Sequence, residues 1–333
     1  MKATAAANSN IALVKYWGMH DEKLVIPANN SISFTMDDKL RTVTTVEFSD
    51  TLKRDELELD GEPANEKATA RVAGFLDIVR KMAKMKRFAS VVSANSFPKG
   101  AGMASSASGF AALAAAASRA AGLELDGKKL SMLARMGSGS ASRSVYGGAV
   151  EWLAGKRKDG SDCYAVQLSP QEKWGQLRNV VAITSRYEKK IGSMDGMRIT
   201  ARTSALYRAR LMSVGGRLAT VRKAIRAGDF AMMAPAIMQE SDNMHAVMLD
   251  SWPPIAYLNS TSFHIMQKVL ELNGSPGEAV AAYTFDAGPN AHIYTTAKHE
   301  NDVKKALGEI WGIEKIVTCG VGQGVRYLSQ HLF

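Results

Sequence analysis

A glycine- and serine-rich loop that leads directly into an alanine-rich helix is the strongest constraint that this chain places on its fold. The segment SFPKGAGMASSASGF follows a short strand candidate, and Gly122 is placed to end the helix. Gly100 and Gly102 allow the backbone to turn tightly and to approach a ligand closely. Ser105 and Ser106 open the helix, where unpaired N–H groups and the positive end of the helix dipole favour a phosphate. Such loops also occur in proteins that bind nothing, so this pattern alone leaves both interpretations open.

Strand and helix signals alternate along the rest of the chain. One long helix carries a single apolar stripe, with Gly228 at its end and Asp229 at the start of the next helix. The stripe consists of Tyr207, Leu211, Val214, Leu218, Val221 and Ile225. The other predicted elements are strands at 41–48, 90–95, 179–185, 279–285, 291–296 and 315–319 and helices at 66–85, 128–136 and 300–309. This order predicts an α+β fold with helices packed on a mostly antiparallel sheet.

The composition excludes several classes of protein. The 333 residues are 46% hydrophobic and 22% charged, which is typical of a globular protein and argues against disorder. Two distant cysteines, Cys163 and Cys319, provide neither a disulfide framework nor metal-ligand spacing. No apolar run is long enough to span a bilayer, and the first residues lack the pattern of a signal peptide. We therefore expect a cytoplasmic protein that has no membrane partner.

The net charge of +10 requires nucleic acid to be considered as a partner. The basic residues are spread along the chain, however, and the densest run, RKMAKMKR at 80–87, contains no aromatic residues. Its spacing predicts one solvated helix face. The charge therefore favours small anionic substrates over nucleic acid.

Three further segments place a charged side chain among apolar or small residues. In NIALVKYWG, read as a strand, Lys15 shares a face with Ile11, Leu13 and Trp17, either reaching water from the strand end or pairing with an anion in a cleft. In YTFDAGPN, an apolar strand presents Asp286 before a turn, as a turn former or as a catalytic carboxylate. In GSGSASRS, Arg143 is either a solvated loop residue or a two-point ligand for a carboxylate or phosphate.

Together these segments resemble the signatures of one family. NIALVKYWG, FPKGAGMASSAS, GSGSASRSVYGGAVEW, DSWPPIAYLN and YTFDAGPNA are similar, in this order, to blocks of the diphosphomevalonate decarboxylases, members of the galactokinase, homoserine kinase, mevalonate kinase and phosphomevalonate kinase superfamily. The resemblance implies an N-terminal domain of the ribosomal-S5-like type over 1–177. It also implies a C-terminal ferredoxin-like domain over 178–333, with the active site in the cleft between the two. It further implies a homodimer.

The resemblance also implies an activity and assigns roles to residues. The family phosphorylates the 3-hydroxyl of a 5-phosphorylated mevalonate with ATP and Mg²⁺, and then expels phosphate and CO2. The residues that correspond to the reacting centre are Asp286, Lys15 and Arg143, with Asn10 orienting the guanidinium. Further substrate contacts fall on Tyr16, Ser138, Ser140 and Ser193, where the segment 189–193 is expected to close over the substrate. The resemblance assigns the binding of the ATP phosphates to Gly100, Gly102, Ala104, Ser105 and Ser106, with Ser106 also as a metal ligand.

One departure from the family pattern concerns the substrate. Relatives that use the diphosphate follow KYWG with a second lysine, whereas this chain has Met19. Methionine supplies no charge, which favours mevalonate 5-phosphate over the 5-diphosphate unless Lys23, Lys189 or Lys190 replaces the missing charge. Cleavage of mevalonate 3,5-bisphosphate without ATP is a further alternative. A small-molecule kinase of the same superfamily and a basic RNA-binding module are the more distant ones.

Overall fold

The structure, a computed structural model, describes residues 1–97, 105–185, 190–274 and 279–333. The strands in these ranges are β1 (Lys2–Asn8), β2 (Asn10–Val14), β3 (Met19–Asp21), β4 (Ile26–Pro27), β5 (Ser31–Thr35), β6 (Arg41–Ser49), β7 (Glu56–Leu59), β8 (Glu62–Pro63), β9 (Phe88–Asn95), β10 (Ala149–Trp152), β11 (Ala165–Ser169), β12 (Leu177–Ile183), β13 (Ala281–Phe285), β14 (Ala291–Thr296), β15 (Lys315–Cys319) and β16 (Arg326–Leu328). The helices are α1 (Glu66–Ala83), α2 (Ser105–Ala120), α3 (Gly127–Gly137), α4 (Ala141–Ser144), α5 (Ser193–Thr203), α6 (Tyr207–Ala227), α7 (Phe230–Leu249), α8 (Ser260–Asn273) and α9 (Glu300–Gly308).

The first sheet has the strand order β16-β1-β6-β9-β7-β8, and its pairs are antiparallel except for β7 with β9. The alanine-rich helix α2 packs directly on β1 and β6. Its small side chains allow this close approach, and the apolar cluster beneath it includes Val46, Phe75, Leu76 and Phe110. This packing fixes the direction in which the N-terminus of α2 points, and that end carries the serine-rich segment.

Two further four-stranded sheets complete the fold, with orders β11-β10-β5-β2 and β13-β14-β12-β15. In the second of these, β12 and β13 are separated by helices, β13 and β14 are adjacent, and α9 precedes β15. This is the strand–helix–strand–strand–helix–strand order of a ferredoxin-like domain. The hairpin of α6 and α7 packs on both sheets, since Ile11 and Phe34 share one apolar cluster with Val221 and Tyr294. The ends of β2 and β13 therefore lie close together.

The predicted α+β class is confirmed, and the sheets are mostly antiparallel as expected. The strands and helices listed from the sequence are all present, with ends that differ by a few residues. Gly228 ends α6 in a left-handed conformation at φ 67°, and the Asp229 side chain accepts a hydrogen bond from the Met232 N–H. Both caps supply partners for helix-end groups that would otherwise lack them.

Two local predictions are wrong. The segment NIALVKYWG is not one continuous strand, because β2 ends at Val14 and its register with β5 shifts between Ala12 and Val14. The run 80–87 is not one solvated helix face either, because α1 ends at Ala83 and Arg80 is buried. Arg80 donates to both carboxylate oxygens of Asp55 at 2.9 Å. The carboxylate offsets part of the cost of removing this guanidinium from water.

The chain returns to its first sheet at the end. Strand β16 pairs with β1, with Thr4 opposite Leu328 and Ala6 opposite Arg326. The four-stranded sheet of the C-terminal half thus ends at Cys319, while the boundary at residue 177 stays a prediction. No helix in the described ranges has both the length and the apolar character needed to cross a bilayer.

Candidate active site

The centre of the site is an ion pair between Lys15 and Asp286. Lys15 comes directly after β2, Asp286 comes directly after β13, and the lysine Nζ lies 2.8 Å from the aspartate Oδ1. The lysine side chain is only 2% exposed, whereas the aspartate side chain is 34% exposed. Lys15 therefore does not reach water from the strand end, and Asp286 presents its carboxylate to the cleft.

The surroundings of this pair keep the carboxylate ionised. Burial alone would raise the pKa of Asp286, but the charge of Lys15, its hydrogen bond and the nearby Arg143 outweigh burial and hold that pKa below its ordinary value. Burial lowers the pKa of Lys15, while the charge of Asp286 opposes that shift. Asp286 therefore carries a negative charge at neutral pH and can accept a hydrogen bond from a hydroxyl group.

Arg143 is a buried cation that neutral groups hold in place. It lies in the short helix α4, where its Nε donates to Asn10 Oδ1 at 3.1 Å and to Ser33 Oγ at 3.0 Å, and its Nη1 donates to Ser31 Oγ. Burial lowers its pKa to about 10, although the charge of Asp286 opposes this, so it remains charged at neutral pH. No carboxylate in the described part of the chain forms an ion pair with Arg143, so this guanidinium is suited to bind an anionic ligand.

Asn10 connects Arg143 to the turn that carries Ser138 and Ser140. The Asn10 amide donates to the Ser140 carbonyl at 2.9 Å and to Ser144 Oγ at 2.8 Å. Gly139 lies flush against aromatic rings, since a Cβ there would come within 2.9 Å of Tyr16 and 2.7 Å of Trp152. Only glycine fits this position, which brings the turn between Ser138 and Ser140 against the Tyr16 ring.

Tyr16 contributes a hydroxyl that has no partner among the described residues to this end of the site. Its ring packs edge-on against Trp152, with centroids 4.8 Å apart, and its buried oxygen forms no hydrogen bond with any described group. A buried hydroxyl that lacks a partner costs free energy unless a ligand or water satisfies it. Arg71, which sequence analysis did not single out, donates to the Gly137 carbonyl at 2.8 Å and brings a cation to the edge of the same turn.

The predicted nucleotide-binding residues are only partly described. Gly100, Gly102 and Ala104 lie outside the described residues, as does Lys189 of the expected closing segment. Ser105 and Ser106 form the exposed first turn of α2, as expected. Ser138 Oγ lies 3.4 Å from Ser106 Oγ and 3.3 Å from Ser140 Oγ. The structure thus brings the start of α2 into contact with the Ser138–Ser140 turn.

Ser193 opens α5, which packs against the segment that follows Lys15. A Cβ at Gly196 would come within 3.0 Å of Trp17, so α5 approaches that ring closely. Gly18 has φ 112°, and a Cβ there would collide with the Tyr207 hydroxyl, which lies 3.3 Å from the Trp17 carbonyl. These contacts place the N-terminus of α5 beside the tryptophan of NIALVKYWG.

Sequence analysis missed several polar groups around the reacting pair. The alternation of polar and apolar residues in SISFT was a signal that could have drawn attention to Ser31 and Ser33. In the structure both faces of β5 are buried, so these hydroxyls lie in the interior. His245 in α7 and His292 in β14 are buried beside the pair, and burial lowers the pKa of each to about 4. Both imidazoles are therefore neutral at pH 7. No periodicity in the sequence distinguishes such histidines from ordinary core residues.

Comparison with known proteins agrees with this geometry. The family model for a diphosphomevalonate decarboxylase-like N-terminal domain matches residues 7–165, and the model for a mevalonate 5-diphosphate decarboxylase C-terminal domain matches residues 179–326. The diphosphomevalonate decarboxylase of Aspergillus fumigatus is 40% identical over 93% of this chain and 81% of its own.

Solved structures are similar over nearly the whole chain. The mevalonate diphosphate decarboxylase of Staphylococcus aureus has a TM-score of 0.92 and 38% identity, covering 98% of both chains. A complex of MDDEF with MVAPP, AMPPCP and magnesium has a TM-score of 0.91 and 37% identity, covering 99% of both chains. The fold and its relatives define the protein as a decarboxylase, a carboxy-lyase. Within that class, the chain belongs to the diphosphomevalonate decarboxylase family.

Proposed function

We propose that this protein converts a 5-phosphorylated mevalonate to an isopentenyl phosphate or diphosphate, using ATP to phosphorylate the 3-hydroxyl before phosphate and CO2 leave. The observation that carries the proposal is the close pair of Asp286 and Lys15, which lies beside a buried Arg143 that binds no carboxylate among the described residues. These three side chains hold a net charge of +1. An anionic substrate with a hydroxyl and a carboxylate matches that arrangement.

In the first step Asp286 accepts or orients the proton of the 3-hydroxyl. The oxygen of that hydroxyl forms a bond to the γ-phosphorus of ATP, and the bond between this phosphorus and ADP breaks. Lys15, which is buried and cationic, stabilises the negative charge on the transferring group. This step turns a poor leaving group into phosphate. The same lysine keeps Asp286 ionised, so one ion pair serves both purposes.

In the second step the C3–O bond breaks, phosphate leaves with the electron pair and positive charge builds at C3. The bond between the carboxylate carbon and C2 then breaks, and its electrons form the C2–C3 double bond as CO2 is released. Once any proton that it accepted in the first step has passed to the phosphate or to water, the carboxylate of Asp286 favours the cation-like species. Arg143 holds the substrate carboxylate through its planar fork, in a position fixed by Asn10, Ser31 and Ser33.

ATP and Mg²⁺ fit the described donors at the start of α2. The exposed Ser105 and Ser106 offer hydroxyls and free N–H groups to a phosphate chain. No group of three His, Cys, Asp or Glu among the described residues could hold a metal ion. Mg²⁺ is therefore expected to be held mainly by nucleotide oxygens and water, with Ser106 as the protein ligand, and to neutralise phosphate charge.

We propose mevalonate 5-phosphate rather than the 5-diphosphate as the preferred substrate. Neutral donors, Ser138, Ser140 and Tyr16, surround the expected position of the 5-phosphate, and Arg71 brings one cation to the edge of the same turn. Met19 packs against the apolar cluster that contains Val150 and Trp152, so it adds no charge there. The loss of one charge-assisted contact is worth about 1.5–3 kcal/mol, roughly one to two factors of ten in affinity.

The deciding experiment is a product assay with the purified protein. Mevalonate 5-phosphate, the 5-diphosphate and the 3,5-bisphosphate are each offered with and without ATP and Mg²⁺, and CO2 and ADP are both measured. We expect both products, with the highest kcat/KM for the monophosphate. A clear preference for the diphosphate would contradict the monophosphate assignment. Turnover of the bisphosphate alone would contradict the phosphoryl-transfer step, and ADP without CO2 would indicate a kinase.

A single substitution sharpens the assignment. Met19→Lys should raise kcat/KM for the diphosphate relative to the monophosphate by about tenfold, because it restores one charge-assisted contact. Met212→Lys, at a position that is 76% exposed on α6, adds the same charge elsewhere and should leave the ratio unchanged. Equal effects of the two variants would assign the change to net charge alone. The homodimer and the cytoplasmic location stay predictions.

A further inference from the structure

Lys15 and Asp286 share an unusual backbone position. Each lies one residue beyond the end of a strand, where the hydrogen bonds of the sheet stop: β2 ends at Val14 and β13 ends at Phe285. Strand pairing therefore does not set the distance between Lys15 and Asp286. Because the side chains of these two residues meet at 2.8 Å, contacts outside the sheet must hold the two strand ends in place.

Consecutive residues of α7 hold both segments. The Glu240 Oε1 accepts the Lys15 backbone N–H at 3.0 Å, and the Ser241 Oγ accepts the Phe285 N–H at 3.0 Å. Both side chains are fully buried. One helical turn thus binds the backbone of one reacting residue and the backbone next to the other. His245, one turn further along α7, packs edge-on against Phe285 with centroids 6.1 Å apart.

Glu240 is itself fixed from α6. Its Oε1 accepts from Arg210 Nη2 at 2.6 Å and its Oε2 accepts from Arg217 Nε at 2.5 Å. Arg210 and Arg217 also donate to Asn243 Oδ1 at 2.7 and 3.0 Å. A carboxylate held by two buried guanidinium groups has little freedom to move. The hydrogen bond from the Lys15 N–H to Glu240 is therefore held in a fixed position.

We propose that Glu240 and Ser241 are positioning residues, which set the Lys15–Asp286 separation by tying both strand ends to one turn of α7. The proposal rests on the proposed function for its catalytic readout. A displacement of about 1 Å at a reacting centre can reduce turnover by roughly a hundredfold, so groups that fix such a distance affect kcat more than substrate binding.

The primary test is Ser241→Ala, compared with Ser118→Ala. Ser118 is an equally buried helical serine, whose hydroxyl donates to the Ala115 carbonyl at 3.1 Å. We expect Ser241→Ala to lower kcat by about tenfold or more, with KM for substrate and ATP changed by less than about twofold. Ser118→Ala should change neither. Crystal structures of both variants should show a Lys15 Nζ to Asp286 Oδ1 distance that lengthens only in Ser241→Ala.

The pH profile provides a readout that a general loss of stability would not move. Among the residues that the structure describes, the titratable groups that face Asp286 are Lys15, Arg143, His245, His292 and Tyr294. When the pair with Lys15 loosens, the pKa of Asp286 rises, and the acid limb of kcat/KM should move to higher pH. The limb should stay in place in Ser118→Ala.

Glu240→Gln is the second variant. Glutamine keeps an oxygen that can accept the Lys15 N–H but removes the charge between two arginines, so we expect a lower melting temperature and a smaller kcat loss than Glu240→Ala gives. If Ser241→Ala matches Ser118→Ala in kcat, in the acid limb and in the Nζ–Oδ1 distance, the proposal is wrong. If the wild-type protein has no turnover, the proposed function fails instead, and the distance alone decides the positioning role.

Discussion

The region around Arg80 and the region around Arg143 each bury an arginine, and they satisfy it in opposite ways. Arg80 donates to both oxygens of Asp55 and also to Asp77, so its charge is more than balanced by protein groups. Arg143 binds one amide oxygen and two hydroxyls, and none of its described partners is charged. The first region pairs its cation with carboxylates, whereas the second leaves its cation without a carboxylate partner among the described residues, as the proposed binding of an anionic substrate requires.

This difference teaches how a structural charge and a functional charge can be told apart. Burial alone does not separate them, since both guanidinium groups are largely removed from water. The separating feature is the chemistry of the partners: carboxylates neutralise a buried cation, while hydroxyls and amides fix its direction and leave its charge available. Substitutions around Arg143 should therefore change activity and substrate binding, and substitutions around Arg80 should change the free energy of unfolding.

The largest effect is expected from Asp286→Asn. The change keeps the shape but removes the charge at the reacting centre and the group that accepts the hydroxyl proton, so turnover should fall by about a hundredfold or more. Nucleotide binding and the circular dichroism spectrum should remain as in the wild type. A variant that keeps most of its activity would remove Asp286 from the mechanism.

Arg143→Lys should follow in size. Lysine cannot make the planar two-point contact, and the loss of about 1.5–3 kcal/mol corresponds to roughly a ten- to hundredfold fall in kcat/KM for the mevalonate substrate. The affinity for ATP should change far less. Calorimetric titration with each ligand measures the two affinities separately. If nucleotide binding were lost while substrate binding stayed intact, the assignment of Arg143 to the substrate would be wrong.

Asp55→Asn tests the other half of the comparison. The change removes the negative charge that faces the buried Arg80 guanidinium but keeps one hydrogen-bond acceptor. The free energy of unfolding should therefore fall by about 2 kcal/mol. The kcat/KM of the folded protein should stay close to that of the wild type. Urea denaturation with an activity assay at low temperature measures both, and a selective loss of activity would contradict the structural role of this pair.

The last effect concerns acid sensitivity and is the smallest when it is expressed per pH unit. Burial lowers the pKa of His292 to about 4, so between about pH 6.5 and 4 the unfolded chain binds a proton that the folded protein does not. Stability should therefore fall as the pH falls through this window, by at most about 1.4 kcal/mol per pH unit for one histidine. His292→Gln should reduce that slope in urea denaturation at several pH values. An unchanged slope would show that His292 is not the group responsible.

Much of the fold was predictable because it depends on local patterns. The apolar stripe of α6 and the glycine at its end fix the helix, and β-branched residues fix β6. Lys15 and Asp286 were recognised as charged residues in apolar segments. Their contact was not derivable from the residues alone, because it joins strand ends 271 positions apart through packing of α6 and α7.

The buried charges that sequence analysis missed share one physical cause. Arg80, Arg210, Arg217 and Glu240 lie in helices, where charged residues ordinarily face solvent unless they are paired. They are buried because each finds a partner from another helix or loop. The pairing of side chains across elements is a tertiary property, and one sequence holds no local signal for it.

The pairing of β16 with β1 has a consequence for how the protein is made. Synthesis proceeds from the N-terminus, so β1 can pair with β6 early, yet its other edge has no partner until residues 326–328 leave the ribosome. During that interval the nascent chain carries an open, alanine-rich strand edge, which is a template for aggregation. Chaperone occupancy in translation should therefore persist until residues 326–328 have emerged, even though the strands of the first sheet other than β16 lie within the first 95 residues.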